Sequence, residues 1–124
     1  MSGQGNVAME LTKEEIDLFD TQQMWSLLTG FPQQWDEATK ITDNLDLGLD
    51  PGRIKNICIA GMGGSAIGGD LIRAYSYDTC PVPIGVIRGY TVPAWVNGNT
   101  LFIASSFSGN TEETLSALAE ARIR

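Results

Sequence analysis

The stretch NICIAGMGGSAIGGDLI, residues 56–72, constrains the chain more than any other. An apolar run ends in a glycine cluster, and apolar residues then resume at helical spacing, which reads as strand, tight turn and helix. A dinucleotide, a nucleotide phosphate and a sugar phosphate each use a turn of this kind. Glycine lets the backbone come close to a ligand, and a helix start offers amide N–H groups that lack intrahelical partners.

The residues around it extend the pattern. RIKNICIAGM is a continuous apolar strand of the sort buried on both faces, and residues 65–77 continue as a helix through Ile67, Leu71, Ile72 and Tyr75. PIGVIRGY is a second strand candidate and TLFIASS a third. TEETLSALAEARIR then reads as a helix, with acids in its first turn and arginines in its last, as the helix dipole favours. Strands alternating with helices imply a parallel sheet with right-handed crossovers, hence an α/β fold.

Upstream the character differs. Residues 1–9 are a polar tail; Thr12 and Glu15 stand at capping-box spacing, and a further helical segment runs to about Leu28. Gly30 stops it, and Pro32 opens another helix at a position where a missing N–H is harmless. The expected organisation is a tail and helical arms over residues 1–50 and an α/β domain over residues 51–124. Trp25, Phe31 and Trp35 are expected to be packing anchors of the arms. Three strands leave an unpaired apolar edge, so the chain is expected to be the opening piece of a longer protein.

Composition narrows the chemistry. With 43% hydrophobic and 19% charged residues the chain is of the globular class. Its net charge of -7 is concentrated in residues 1–50, which hold ten acidic residues against two lysines. Nothing resembles the clustered Lys and Arg of a nucleic-acid surface, so no nucleic-acid partner is expected. The first residues lack a signal peptide's basic and apolar regions, and no run of apolar residues is long enough to span a membrane, so the expected address is the cytoplasm. Cys58 lies in a strand and Cys80 in a turn, with no metal-ligand spacing and no disulfide framework; both are read as structural. The chain has no histidine, which removes the commonest general base and the commonest metal ligand. No cofactor and no metal are expected.

Residues 61–66, Gly-Met-Gly-Gly-Ser-Ala, fit the relaxed dinucleotide fingerprint G-x-G-x-x-A, but the second strand ends in Arg88-Gly89-Tyr90 where that fingerprint asks for an acid. A P-loop is excluded because the turn has no lysine. A second turn, ASSFSGNTEET, crowds Ser105, Ser106, Ser108, Asn110 and Thr111 between the third strand and its helix. Small hydroxyls there can hold a phosphate monoester together with free amides, without a cation. They can also be ordinary caps, with Ser108 or Asn110 as the N-cap. A strand order of 2-1-3 would make strands one and three neighbours and turn both loops toward one crevice at the carboxyl edge. Glu112 and Glu113 are read as first-turn residues facing solvent or stabilising the helix start.

GMGGSAIGGDL, RGYTVP and SSFSGNTEETLSA, in that order, resemble the sugar isomerase (SIS) domain, and more narrowly the bifunctional phosphoglucose/phosphomannose isomerases. SFSGNTEET is similar to that family's phosphate loop, S-[YF]-S-G-N-T-x-E-T, and residues 88–93 are similar to the R-x-Y-x-x-P that precedes it. The resemblance covers about residues 20–124. It implies a three-layer α-β-α, flavodoxin-like fold with a parallel sheet, incomplete here and preceded by N-terminal helices. It implies that Gly63 and Gly64 allow close backbone approach, that Ser65 meets the sugar phosphate, and that Ser106, Ser108 and Thr111 are phosphate ligands. It further implies metal-free interconversion of glucose or mannose 6-phosphate with fructose 6-phosphate through a cis-enediol, and a homodimer with a shared active site. The family's glutamate, histidine, lysine and arginine of catalysis lie C-terminal to this segment, so no catalytic residue is expected within it. The competing readings are a non-catalytic sugar-phosphate sensor on the same domain and a dinucleotide-binding module.

Overall fold

A computed structural model describes residues 11–43 and 45–124; the polar tail read over residues 1–9 lies outside them. The chain divides into two compact units, Met1–Leu47 and Gly48–Arg124.

The first unit is helical. Helix α1, Lys13–Phe19, starts with the capping box read from the sequence: Glu15 N–H donates to Thr12 Oγ1 at 3.2 Å and Thr12 N–H donates to the Glu15 carboxylate at 2.8 Å. Helix α2, Met24–Thr29, has its first amides held by Asp20, whose carboxylate accepts from Met24 N–H and Trp25 N–H at 2.7 Å each. Gly30 separates it from α3, Phe31–Thr42, which carries Pro32 in its first turn. The expected packing anchors are not anchors here: Trp25, Phe31 and Trp35 are 46%, 65% and 71% exposed, and α1 to α3 bury no residue. Helical spacing tells which side chains share a face, and nothing about what covers that face.

The second unit is α/β. After a single 3-10 turn at Pro51–Arg53 come β1 (Asn56–Ala60), α4 (Gly63–Tyr75), β2 (Ile84–Ile87), β3 (Thr100–Ala104) and α5 (Glu112–Ala121). The three strands form an open parallel sheet in the order β2-β1-β3, as the crevice argument required. Ala60 is paired with Ile87 on one side and with Ala104 on the other, so all three strands end at one edge. β1, the most continuously apolar strand, takes the centre, where both faces are covered.

The two helices lie on opposite faces of the sheet. On one, Gly69 of α4 sits against Ile59 and Val86, so close that an added Cβ would stand 3.0 Å from Ile59 Cγ2. On the other, Cys58 and Ala60 join Val92, Val96 and Ala117 in a buried cluster flanked by Ile87 and Phe102. This is the helix–sheet–helix layering of the α-β-α class. Burial pushes the Cys58 thiol up to about 11, so it stays protonated and inert, in keeping with a structural role. Among the described residues no helix is long and apolar enough to cross a membrane.

Candidate functional site

Three connections leave the sheet at its carboxyl edge, and each carries one of the three motifs read from the sequence. The first runs from β1 into α4. The helix begins at Gly63, two residues before the Ser65 start expected from apolar spacing, so Gly63, Gly64 and Ser65 form its first turn rather than a preceding loop. Gly63 has φ +52°, a left-handed conformation that side chains disfavour, and this is why periodicity alone missed the start. The N-cap is Met62, which makes no side-chain cap bond. A Cβ added at Gly63 or Gly64 would meet nothing within 4 Å, so the backbone of this turn is open to a ligand. Ser65 N–H donates to Met62 O at 3.1 Å, whereas its hydroxyl bonds to no described residue.

The second connection, residues 105–111, is built around hydroxyls. Ser106 Oγ lies 2.8 Å from Thr111 Oγ1 and 3.5 Å from Ser108 Oγ, and Ser108 Oγ lies 3.4 Å from Thr111 Oγ1. Ser106 Oγ also accepts from Gly109 N–H at 3.1 Å, and Ser108 Oγ accepts from Asn110 N–H at 3.3 Å. A serine hydroxyl has one proton and two lone pairs, so oxygens that already accept from loop amides keep their protons to donate. Ser106 and Ser108 do so, and because the 2.8 Å Ser106–Thr111 contact uses one hydroxyl proton within the cluster, two of its three protons remain as donors suited to phosphate oxygens. The alternative of Ser108 or Asn110 as the N-cap does not hold: the N-cap of α5 is Thr111. Serine at a loop competes for nearby backbone amides, and here those amides belong to the loop itself. Thr111 makes no side-chain cap bond either, so the first amides of α5 keep their unpaired donors.

The two turns touch. Ser105 N–H donates to Ala60 O at 2.7 Å, and a Cβ added to Gly61 would stand 3.0 Å from Ser105 O and 3.2 Å from Ala66 N. Only glycine at residue 61 lets the β1 exit and the β3 exit lie backbone to backbone. The first turn of α4 and the hydroxyl cluster therefore flank one contact at the sheet edge. Ser108, Gly109 and Asn110 are exposed, which makes the arrangement an open shelf rather than an enclosed cavity.

The third connection, after β2, carries features that sequence reasoning missed. Arg88 pairs with Asp70 of α4, which also bridges Arg73 at 3.2 Å. The Arg88 hydrogen bond holds the Asp70 carboxyl below its usual range. Along α5, Ser116 Oγ donates to Tyr90 O at 2.9 Å and Val92 N–H donates to Glu120 Oε2 at 3.0 Å. That backbone bond, with Arg124 beside it, lowers the Glu120 pKa. Glu112 and then Glu113 raise the Tyr90 phenol, which keeps it a neutral donor.

Comparison with known proteins finds relatives by sequence. Over 101 residues, 82% of this chain, it is 44% identical to the bifunctional phosphoglucose/phosphomannose isomerase of Caldicellulosiruptor bescii. This chain is a relative of the bifunctional phosphoglucose/phosphomannose isomerases. The isomerase of that name from Thermoplasma acidophilum is 54% identical over 70 residues, 56% of this chain, and that from Aquifex aeolicus 33% identical over 101 residues, 81% of it. The chain spans 30%, 22% and 29% of the length of these three isomerases. No family model matches the chain, and no solved structure matches it.

Proposed function

We propose that these residues are the sugar-phosphate-binding portion of an aldose–ketose isomerase that interconverts glucose 6-phosphate and mannose 6-phosphate with fructose 6-phosphate. The observation that carries the reading is the contact between Gly61 and Ser105. It sets the uncapped first turn of α4 against a cluster of three hydroxyls at the uncapped start of α5. In the proposed role Gly63 and Gly64 let the backbone approach the substrate and Ser65 donates to it. Ser106, Ser108 and Thr111 take the remaining phosphate oxygens. Two helix N-termini at the same sheet edge favour an anion even in a chain of net charge -7.

A phosphate grip of this kind orients the sugar and supplies binding energy remote from the reacting carbons. It moves no proton. The groups that carry a proton between C1 and C2 are assigned to other parts of the full-length protein, and the whole is read as a cytoplasmic homodimer. Two supports lie outside the geometry: the printed names of the relatives, and the three motifs read from the sequence.

The test is an assay of the full-length protein carrying these residues, with fructose 6-phosphate as sole substrate. Formation of both glucose 6-phosphate and mannose 6-phosphate is expected. Tight binding of fructose 6-phosphate with no product would favour a sensor instead, and competition by a dinucleotide for the same turns would favour a dinucleotide module.

A further inference from the structure

We propose that residues 88–93 form a third wall of this site and that Tyr90 contacts the sugar, an assignment that rests on the phosphate reading above. The parallel sheet brings the ends of β2, β1 and β3 to one edge, so this segment emerges beside the two turns already described. A connecting loop would need no more than its own backbone turn there. This one is fastened to both helices whose first turns form the other walls.

Toward α4, Arg88 is held by Asp70. Toward α5, Ser116 holds the Tyr90 carbonyl at 2.9 Å, Glu120 holds the Val92 amide at 3.0 Å, and Arg124 reaches the Pro93 carbonyl at 3.4 Å while pairing with Glu120. Val92 and Val96 then sink into the cluster with Cys58, Ala60 and Ala117. Loops run over surfaces, and those built on a rigid frame are where binding groups are placed. The segment has that frame on both sides.

Between these anchors stands Tyr90, half exposed, its hydroxyl bonded to no described residue. Its backbone is tied to the second turn of α5, and its phenol lies within the field of Glu112 and Glu113 in the first turn. The Tyr90 backbone is thus fixed beside the N-terminal half of α5, the helix that begins at the hydroxyl cluster. A neutral phenol among carboxylates is a poor partner for a phosphate dianion. It suits a sugar: the ring takes the apolar C–H face and the hydroxyl donates to a sugar oxygen. The division of labour follows, with phosphate on the serines and threonine and sugar on Tyr90.

Two variants of the full-length protein, each titrated calorimetrically with fructose 6-phosphate and with inorganic phosphate, test this. Tyr90→Phe keeps the ring and is expected to weaken fructose 6-phosphate about five- to tenfold, the value of one hydrogen bond, while leaving inorganic phosphate unchanged. Ser106→Ala with Ser108→Ala is expected to weaken both ligands. If Tyr90→Phe binds both ligands as the parent does, or loses both equally, while the serine variant loses both, the sugar contact is overturned and the phosphate reading stands. A serine variant that binds both as tightly as the parent overturns the phosphate reading, and with it a third wall to that site.

Discussion

Gly61 and Ser105 meet backbone to backbone where β1 and β3 leave the sheet, with the space for a Cβ on Gly61 already taken by Ser105 O at 3.0 Å. Because the Ser105 amide is bound to Ala60 O, the β3 exit cannot swing away to make room. Both turns hang from this one contact.

Gly61→Ala is therefore expected to destabilise the fold by about 1–3 kcal/mol, the usual cost of forcing extra volume against fixed backbone. The check is a denaturant titration of parent and variant, read at the midpoint with the slope compared. An unchanged midpoint would mean that the two exits can separate freely.

Thr114, in the first turns of α5, is 3% exposed and its Oγ1 has no partner among the described residues. A buried hydroxyl without a partner costs roughly 1–3 kcal/mol. Thr114→Val keeps the shape and a similar helix propensity, so it is expected to raise stability by about 1 kcal/mol, whereas Thr114→Ser is expected to lower it by removing a buried methyl. Thermal unfolding of the pair decides it, and a destabilised valine variant would show that the hydroxyl finds a partner in solution.

Two carboxylates hold the segment of residues 88–93, and both lie below their ordinary values, 3.8 for Asp70 and 4.5 for Glu120. A folded-state pKa lower than the unfolded one means that ionisation favours folding. The contribution is whole above those ordinary values and is lost as pH falls through the lowered ones. Stability is thus expected to be insensitive to these groups between pH 7 and pH 5 and to decline below about pH 4. Glu120→Gln, which keeps an oxygen for Val92 N–H and loses the charge, is expected to flatten that acid limb. Unfolding midpoints against pH for parent and variant supply the comparison, and superimposable acid limbs would refute the assignment.

The sheet and its edge were legible in the sequence because the signals are local. Thr12 and Glu15 announced a helix start and the run through Cys58 announced a strand buried on both faces, while the order β2-β1-β3 was only the condition under which the two turns would converge. The misses have physical reasons. Gly63 carries helix into a backbone region that propensity does not count. Ser106 and Ser108 spend their lone pairs on loop amides, and the N-cap is Thr111 rather than the alternatives Ser108 or Asn110. Asp70 with Arg88 and Glu120 with Val92 join residues 18 and 28 apart, and no short-range pattern marks such pairs. Trp25, Phe31 and Trp35 look like core by composition and are exposed by placement.

The central claim is that two turns grip one phosphate, and the most direct measurement follows backbone amide resonances of the full-length protein during titration with fructose 6-phosphate. The account predicts that Gly63, Gly64 and Ser65 shift together with residues 106–111, along a single saturation curve, and that fructose without phosphate moves neither set. Shifts confined to one turn, or two sets saturating at different concentrations, would contradict a shared site.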